Sequence, residues 1–449
     1  MHAAVLLLTA GLAGAVLNLG NDAGADPAAA HRIYLQYAAR DGTPQGTAAA
    51  PAATPPTPRI ARPEGWPDTL QLGRSAGAGE AAAVAAQAPF GIRYQYLAGG
   101  VNTGTGWATW GAAGSFVSNY IDESREAGLI SVFPYYMIAQ SLPGKPGDEA
   151  GGVIRNLTTA ATMRAYWEDL RLFFERAGGR PGDLIVLHVE PDLWGFAQHQ
   201  SEDDDAATVR AVVGSSGMPE LDGIPDTMRG FARAVTLLRD RYAPNVLLAY
   251  HLSSWGTGTD IALGDPGDAK IGELATRAAA FYRSLGADFD LVFNDLADRD
   301  AAFKEAIYKD GGASWWEPGD FRRHAVFLRQ FASETGLPIV LWQLPLGNTR
   351  MRAMDNSWGH YQDNRVEWFL DDGSGTHLAE YRDAGVIALL FGGGAAGTTC
   401  ACDATGDGVT NPAPSGPNTR PSLNADDDGG FFQERARAYY DAGPLPLAR

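Results

Sequence analysis

The sequence predicts an α/β fold, a (β/α) barrel of seven or eight parallel strands, TIM-like and open to distortion. Two observations carry this prediction. Short aliphatic runs alternate with segments of helical spacing, and almost every run ends in polar or aromatic residues. Strand, helix and strand repeated in this order describe a parallel sheet with helices outside. A barrel loads the C-terminal ends of all its strands, whereas an open doubly wound sheet, the alternative, loads its switch point.

Seven runs are visible: "FGIRYQYLAGG", "LISVFPYYMI", "LIVLHVEPD", "NVLLAYHLSSW", "LVFNDLAD", "PIVLWQLPLGN" and "VIALLFGGG". An eighth is not obvious. Between them, Met163, Tyr166, Trp167, Leu170, Phe173 and Phe174 recur at helical spacing, as do Met228, Phe231, Val235 and Leu238. "AGGRPGD" and "TGLP" are helix stops placed just before strands.

Ahead of the first run, residues 1–25 read as a signal peptide: an apolar stretch from Ala3 to Leu19, then Ala23-Gly24-Ala25 as a cleavage signature. A secreted or extracytoplasmic protein is therefore expected. Residues 26–65 are an Ala/Pro/Thr-rich segment and linker, and residues 66–449 hold the barrel with a C-terminal acidic loop and helix. No later stretch is apolar enough to span a bilayer.

The chain has 449 residues, with 53 Asp and Glu against 35 Lys and Arg, a formal charge of -18. Such a surface repels phosphate backbones, which argues against nucleic acid and leaves neutral or cationic partners. Eleven Trp and sixteen Tyr exceed what a core alone calls for. A polysaccharide or oligosaccharide substrate and a monomeric state are expected.

"DLIVLHVEPDLWG", residues 183–195, places His188, Glu190, Asp192 and Trp194 at the end of an aliphatic run. Alternate strand residues share a face, so His188 and Glu190 are expected to point the same way, with Glu190 at the mouth. A partly desolvated carboxyl there suits general acid or nucleophilic work. Pairing with arginine, or capping of the next helix, is the structural alternative for Glu190 and Asp192. Asp295 ends the run "LVFND" and is the expected partner carboxylate, with Asn294 pointing to the opposite face. Asp298 and Asp300 lie further out and are expected to cap a helix or face solvent.

Aromatic and polar residues at the strand ends make up the expected substrate-binding set: Tyr94, Tyr96, Tyr136, His188, Trp194, His251, Trp255, Asn294, Trp342, Gln343 and Asn348. Indole and phenol faces suit the apolar faces of sugar rings. Trp358 and His360, in "NSWGHYQDNR", are expected to reach over the mouth. "CDATGDG" spaces Asp403 and Asp407 like the start of a calcium loop, a candidate structural calcium site; no cofactor is expected for catalysis. Cys400 and Cys402 are too few for a disulfide framework.

"VEPDLW" resembles the E-P-D strand end of the family-six cellulases, secreted glycoside hydrolases with a distorted seven-stranded barrel. "LLAYHLSSWG", "LVFNDLAD" and "LWQLPLGNTR" follow in a similar order, so the likeness covers roughly residues 185–350. The resemblance implies a glycan-active barrel and carries over Asp192 and Glu190 only. The preceding run, "VFPYYMIAQS", has no carboxylate, and Trp342-Gln343 stand where that family has an aspartate. Two further readings stay open. One is a phosphodiesterase-like metal hydrolase using His188, Glu190, Asp192 and His251; the other is a glycan-binding barrel without catalysis.

Overall fold

The computed structural model describes residues 60–144, 148–264, 266–297, 300–349, 362–392 and 431–447. Eight parallel strands close into a barrel in chain order. They are β1 (Gln71–Ser75), β2 (Ile92–Tyr94), β3 (Ile130–Tyr135), β4 (Ile185–Val189), β5 (Val246–His251), β6 (Leu291–Asp295), β7 (Ile339–Pro345) and β8 (Val386–Gly392). Helices cover the outside. Those that position the site are α1 (Ala81–Gln87), α2 (Ser115–Glu126), α3 (Glu149–Leu157), α4 (Ala160–Gly178), α5 (Leu193–Gln200) and α6 (Met228–Tyr242), followed by α7 (Asp268–Ser284), α8 (Pro318–Thr335), α9 (Arg365–Leu370), α10 (Thr376–Asp383) and α11 (Phe431–Asp441). Among the described residues, no helix is long and apolar enough to cross a membrane.

The strand without a clear sequence signal is β1. "QLGRS" contains neither a β-branched nor an aromatic residue, so propensity is silent there. Tertiary packing selects it. Gly73 lies in register with Ile92 on one side and Leu390 on the other. A Cβ at Gly73 would stand 2.6 Å from the Ile92 carbonyl oxygen and 2.7 Å from Leu390 Cδ2. Only glycine lets the barrel close at this width.

The seam is also held from the far end of the chain. On α11, the Tyr440 hydroxyl accepts the Leu72 N–H at 2.9 Å, and the Tyr439 hydroxyl donates to the Leu70 carbonyl at 2.8 Å. Phe432 packs on Phe391 of β8 with ring centroids 4.5 Å apart. Tyr440→Phe leaves the Leu72 N–H without its partner and is expected to cost about 1–2 kcal/mol in denaturant melting. All eight strands lie after Pro63. A chain shortened to begin at Pro63 should therefore stay soluble and melt within a few degrees of the full chain; insoluble protein would show that earlier residues hold the barrel.

Burial on both faces explains why strands such as "VIALLFG" read as unbroken apolar runs. The helices are built from the spacing that predicts them. Along α6, Met228, Phe231, Val235 and Leu238 are buried, and the Thr227 side chain caps its start by accepting the Gly230 N–H. Helix α8 begins with a reciprocal Glu317/Asp320 capping box and ends at Gly336 in the left-handed region.

The register decides which residues look inward. His188 pairs with Pro134 and Ala249, His251 with Phe293, and Asp295 with Trp342. With alternation along each strand, His188, His251, Phe293, Asp295 and Trp342 face the lumen, and Tyr135, Tyr250 and Asn294 face the helices.

Candidate active site

At the C-terminal mouth, three rings form a continuous arc. Tyr96 lies 6.4 Å from Tyr136 and 5.6 Å from Trp342, measured between ring centroids. Tyr94 sits beneath, in edge contact with both Tyr96 and Trp342. The arc owes its far end to a bulge. The β7–β8 register shifts between Leu341 and Leu344, and Gln343 takes a φ of +55°. A regular strand would aim Trp342 and Gln343 to opposite faces. Here both reach the mouth, and the Gln343 side chain donates to the Tyr96 hydroxyl.

Each end of the arc carries a carboxylate. The Tyr136 hydroxyl donates to Glu149 at the start of α3, and the charge of Asp192 acts on the same phenol. Burial is the largest cause raising the Tyr136 phenol, and the charges of Glu149 and Asp192 add to it, so the group stays protonated. Asp192 precedes α5 with φ +68° and makes no side-chain cap, contrary to the capping alternative. At the other end, Asp295 Oδ1 lies 3.5 Å from His251 Nε2. His251 Nδ1 is 3.0 Å from His188 Nε2. His188 stacks on Phe293 and receives the edge of Trp342, and burial holds its pKa well below the usual imidazole value. Neither histidine is open to substrate: His188 is fully buried and His251 nearly so. Both were expected as sugar contacts, and the structure places them behind Asp295 and under Trp342.

Glu190 does not share the lumen face with His188. The strand ends at Val189, and Glu190 takes φ +45°, a left-handed value that costs about 1–3 kcal/mol for a residue with a side chain. This turn swings the carboxylate behind the barrel wall. One oxygen accepts the Met137 and Ile138 N–H groups at 3.2 Å, and the other accepts Ile138 at 3.1 Å. The side chain is 1% exposed, and burial pushes its pKa up to about 8 against the pull of those N–H groups. Asp169 of α4 lies nearby, raised by burial to about 6 and bonded by Tyr135 and by Trp107 Nε1, the latter at 2.6 Å. The Tyr166 hydroxyl is buried beside Glu190 without a well-aligned bond. The expectation of Glu190 at the mouth is thus not met: its carboxyl group clamps the loop that carries Tyr136.

Other expected contacts also lie elsewhere. Trp194 is fully buried against Phe231, Tyr250 and Phe289, and its indole N–H bonds the Val189 carbonyl at 2.8 Å. It is a core residue between barrel and helices. Asn294 faces outward, donating to the Leu252 carbonyl at 2.8 Å and joined to His324 at 2.7 Å. Asn348 is buried in the loop after β7. Trp255, packed on Phe196, lines a cleft beside Asp295 together with Asp260, Lys304 and Trp316. Trp358, His360, Asp403, Asp407, Cys400, Cys402 and Asp298 lie outside the described residues.

Asp260, Lys304, Trp316, Glu149 and Asp169 also stand at or behind the site without a strong signal in the sequence. Asp260 follows β5 within "SSWGTGTD", a polar loop at a strand's C-terminal end, and that position was its one signal. Burial is the largest influence raising the Asp260 carboxyl, and the Lys304 charge opposes it. Among the described residues, no group of three or more His, Cys, Asp or Glu side chains is arranged to hold a metal ion.

No protein-family profile matches the chain, and no curated protein matches it in sequence. Solved structures similar to it include a GH6 enzyme of Orpinomyces sp., at 13% identity over 75% of this chain and 84% of that one, TM-score 0.35. A GH26 beta-mannanase of Bacteroides ovatus follows at 12%, covering 82% and 90%, TM-score 0.39. An endo-beta-1,4-mannanase of Thermotoga petrophila is similar at 9%, covering 84% and 78%, TM-score 0.42. The family-six likeness is thus one among several glycoside hydrolase families. Likenesses this distant carry no argument about chemistry, which rests on the geometry above.

Proposed function

We propose that the chain is a secreted glycoside hydrolase acting on a polysaccharide at the barrel mouth, with Asp192 and Asp295 as its working carboxylates. One observation carries this reading: the Tyr136–Tyr96–Trp342 arc joins a carboxylate at each end. The half-buried Tyr96 and Tyr136 rings offer faces to a sugar, with the buried Trp342 packed behind them, and two carboxylates suffice for glycosidic cleavage by either stereochemical course. Strained backbone at Asp192 supports the reading, since such strain concentrates where a side chain must be aimed. Glu190 acts as a positioning residue that holds the Met137–Ile138 backbone and, through it, Tyr136.

The test is reducing-sugar release by the purified chain across a panel of polysaccharides, with and without EDTA. Release of sugar from at least one polysaccharide, unchanged by chelator in its chemical step, is the expected result. Activity abolished by EDTA and restored by zinc or manganese would favour metal-dependent hydrolysis instead. Glycan binding without turnover would leave a binding barrel.

A further inference from the structure

Strand β7 carries a side chain where its backbone favours none. Between the Leu341–Leu389 and Leu344–Phe391 pairs, Trp342 and Gln343 together stand opposite Leu390, so the strand is bulged. Gln343 takes φ +55°, in the left-handed region where glycine is the usual occupant because it has no Cβ. Glycine would form the same bulge at lower strain. What glycine could not supply is the amide.

That amide is well placed to meet a ligand. Gln343 is half-buried, while Trp342 and Leu344 on either side of it are buried. Its side chain is joined to the Tyr96 hydroxyl and, among the described residues, has no other hydrogen-bond partner. Whichever way the amide is turned, the bond to Tyr96 occupies one of its groups and leaves both a donor and an acceptor unused. An amide fixed against a half-buried ring in this way matches adjacent hydroxyls of a sugar whose apolar face lies on that ring.

The surrounding charge selects against acidic sugars. Asp295 pairs in register with Trp342, and the charge of Asp192 acts on Tyr136 at the other end of the arc. Lys304 and Arg365 line the cleft beside Asp295, but Asp260 and Asp295 stand with the first and Asp363 pairs with the second at 2.7 Å. An amide itself offers no cation to a carboxylate.

We propose that Gln343 is a specificity-determining residue of the mouth, its amide engaging adjacent hydroxyls of a neutral sugar seated on the Tyr96 face. This rests on the reading of the mouth as a glycan site and names the class of glycan, neutral rather than uronic. The bulge and the bond to Tyr96 hold the amide in place before the sugar arrives, so binding loses little to side-chain ordering.

The test measures binding by the full chain, separately from turnover, to hydroxyethyl cellulose, galactomannan, arabinoxylan and polygalacturonate. The wild type should bind at least one of the neutral polymers and leave polygalacturonate unbound. Gln343→Gly should weaken that binding by about tenfold, the size of one or two lost hydrogen bonds. It should melt no lower than the wild type, because the left-handed strain is relieved. On a polymer that is cleaved, KM should rise by a similar factor with kcat within about twofold. Tyr96→Phe keeps the ring and removes the hydroxyl; combined with Gln343→Gly it should lose less than the product of the two single losses, since the groups act as a unit. Unchanged binding in Gln343→Gly overturns the assignment. So does weaker binding with a melting temperature lowered by several degrees, which would make Gln343 a brace for Tyr96. Preference for polygalacturonate overturns the class of sugar. Binding without turnover would defeat the glycosidase reading and leave the role of Gln343 standing, whereas a wild type that binds none of these polymers defeats both.

Discussion

Asp295→Asn is expected to lower turnover by about two to four orders of magnitude, the range for a lost acid–base or nucleophilic carboxylate. The amide keeps the volume and one hydrogen-bond acceptor, so packing against Trp342 and the cleft wall is preserved. Melting temperature should change little, because the Asp295 side chain is 17% exposed and makes no buried arginine pair among the described residues. Affinity for a polysaccharide should also survive, since the Tyr136–Tyr96–Trp342 arc is untouched. Asp192→Asn should produce a loss of similar size if the two carboxylates share the chemistry. Kinetics, a binding titration and a melt on each purified variant check this. Full turnover in Asp295→Asn would remove the carboxylate from the mechanism.

Glu190 should behave in the opposite way. Glu190→Ala strands the Met137 and Ile138 N–H groups in a dry site and opens a cavity; a loss of about 3–5 kcal/mol is expected. Glu190→Gln retains an oxygen for both N–H groups and should keep turnover within about tenfold of the wild type. The distinguishing signature is pH dependence. The folded pKa is raised from 4.5 to about 8, so between those values the folded state holds a proton that the unfolded chain has released. This contribution to stability is full below pH 4.5 and is lost as pH rises through 8. A shift of that size corresponds to about 5 kcal/mol at most. Asp169, raised to about 6, acts in the same direction over a lower window. Melting temperature should therefore fall as pH rises from about 5 to 8.5, and Glu190→Gln should flatten the fall. A loss of two to four orders in turnover for Glu190→Gln, at unchanged melting, would restore the acid or nucleophile role that the sequence suggests.

Much of the barrel was legible because its strands are covered on both faces. Seven of them read as apolar runs, and the polar residues after those runs sit at one end by the geometry of parallel crossover connections. Strand β1 was not legible, because its place depends on what Gly73 leaves room for rather than on its own propensity. Within the site, alternation correctly separates Asp295 from Asn294 and puts His188 in the lumen. It fails at Glu190 and at Trp342-Gln343, where positive φ values break the two-residue period. Trp194 looked like a strand-end aromatic, yet the turn through Asp192 carries it into the core.

The sequence by itself determined the class of fold, the end of the barrel where polar and aromatic residues gather, and the residue types available there. These follow from local rules, the apolar periodicity of strands and helices and the cost of burying charge. The tertiary structure alone decided which carboxylates reach the mouth. That choice turns on single backbone angles at Glu190, Asp192 and Gln343 and on register across the closed sheet. Such angles persist only where surrounding packing over-determines them, and no stretch of sequence carries that packing on its own.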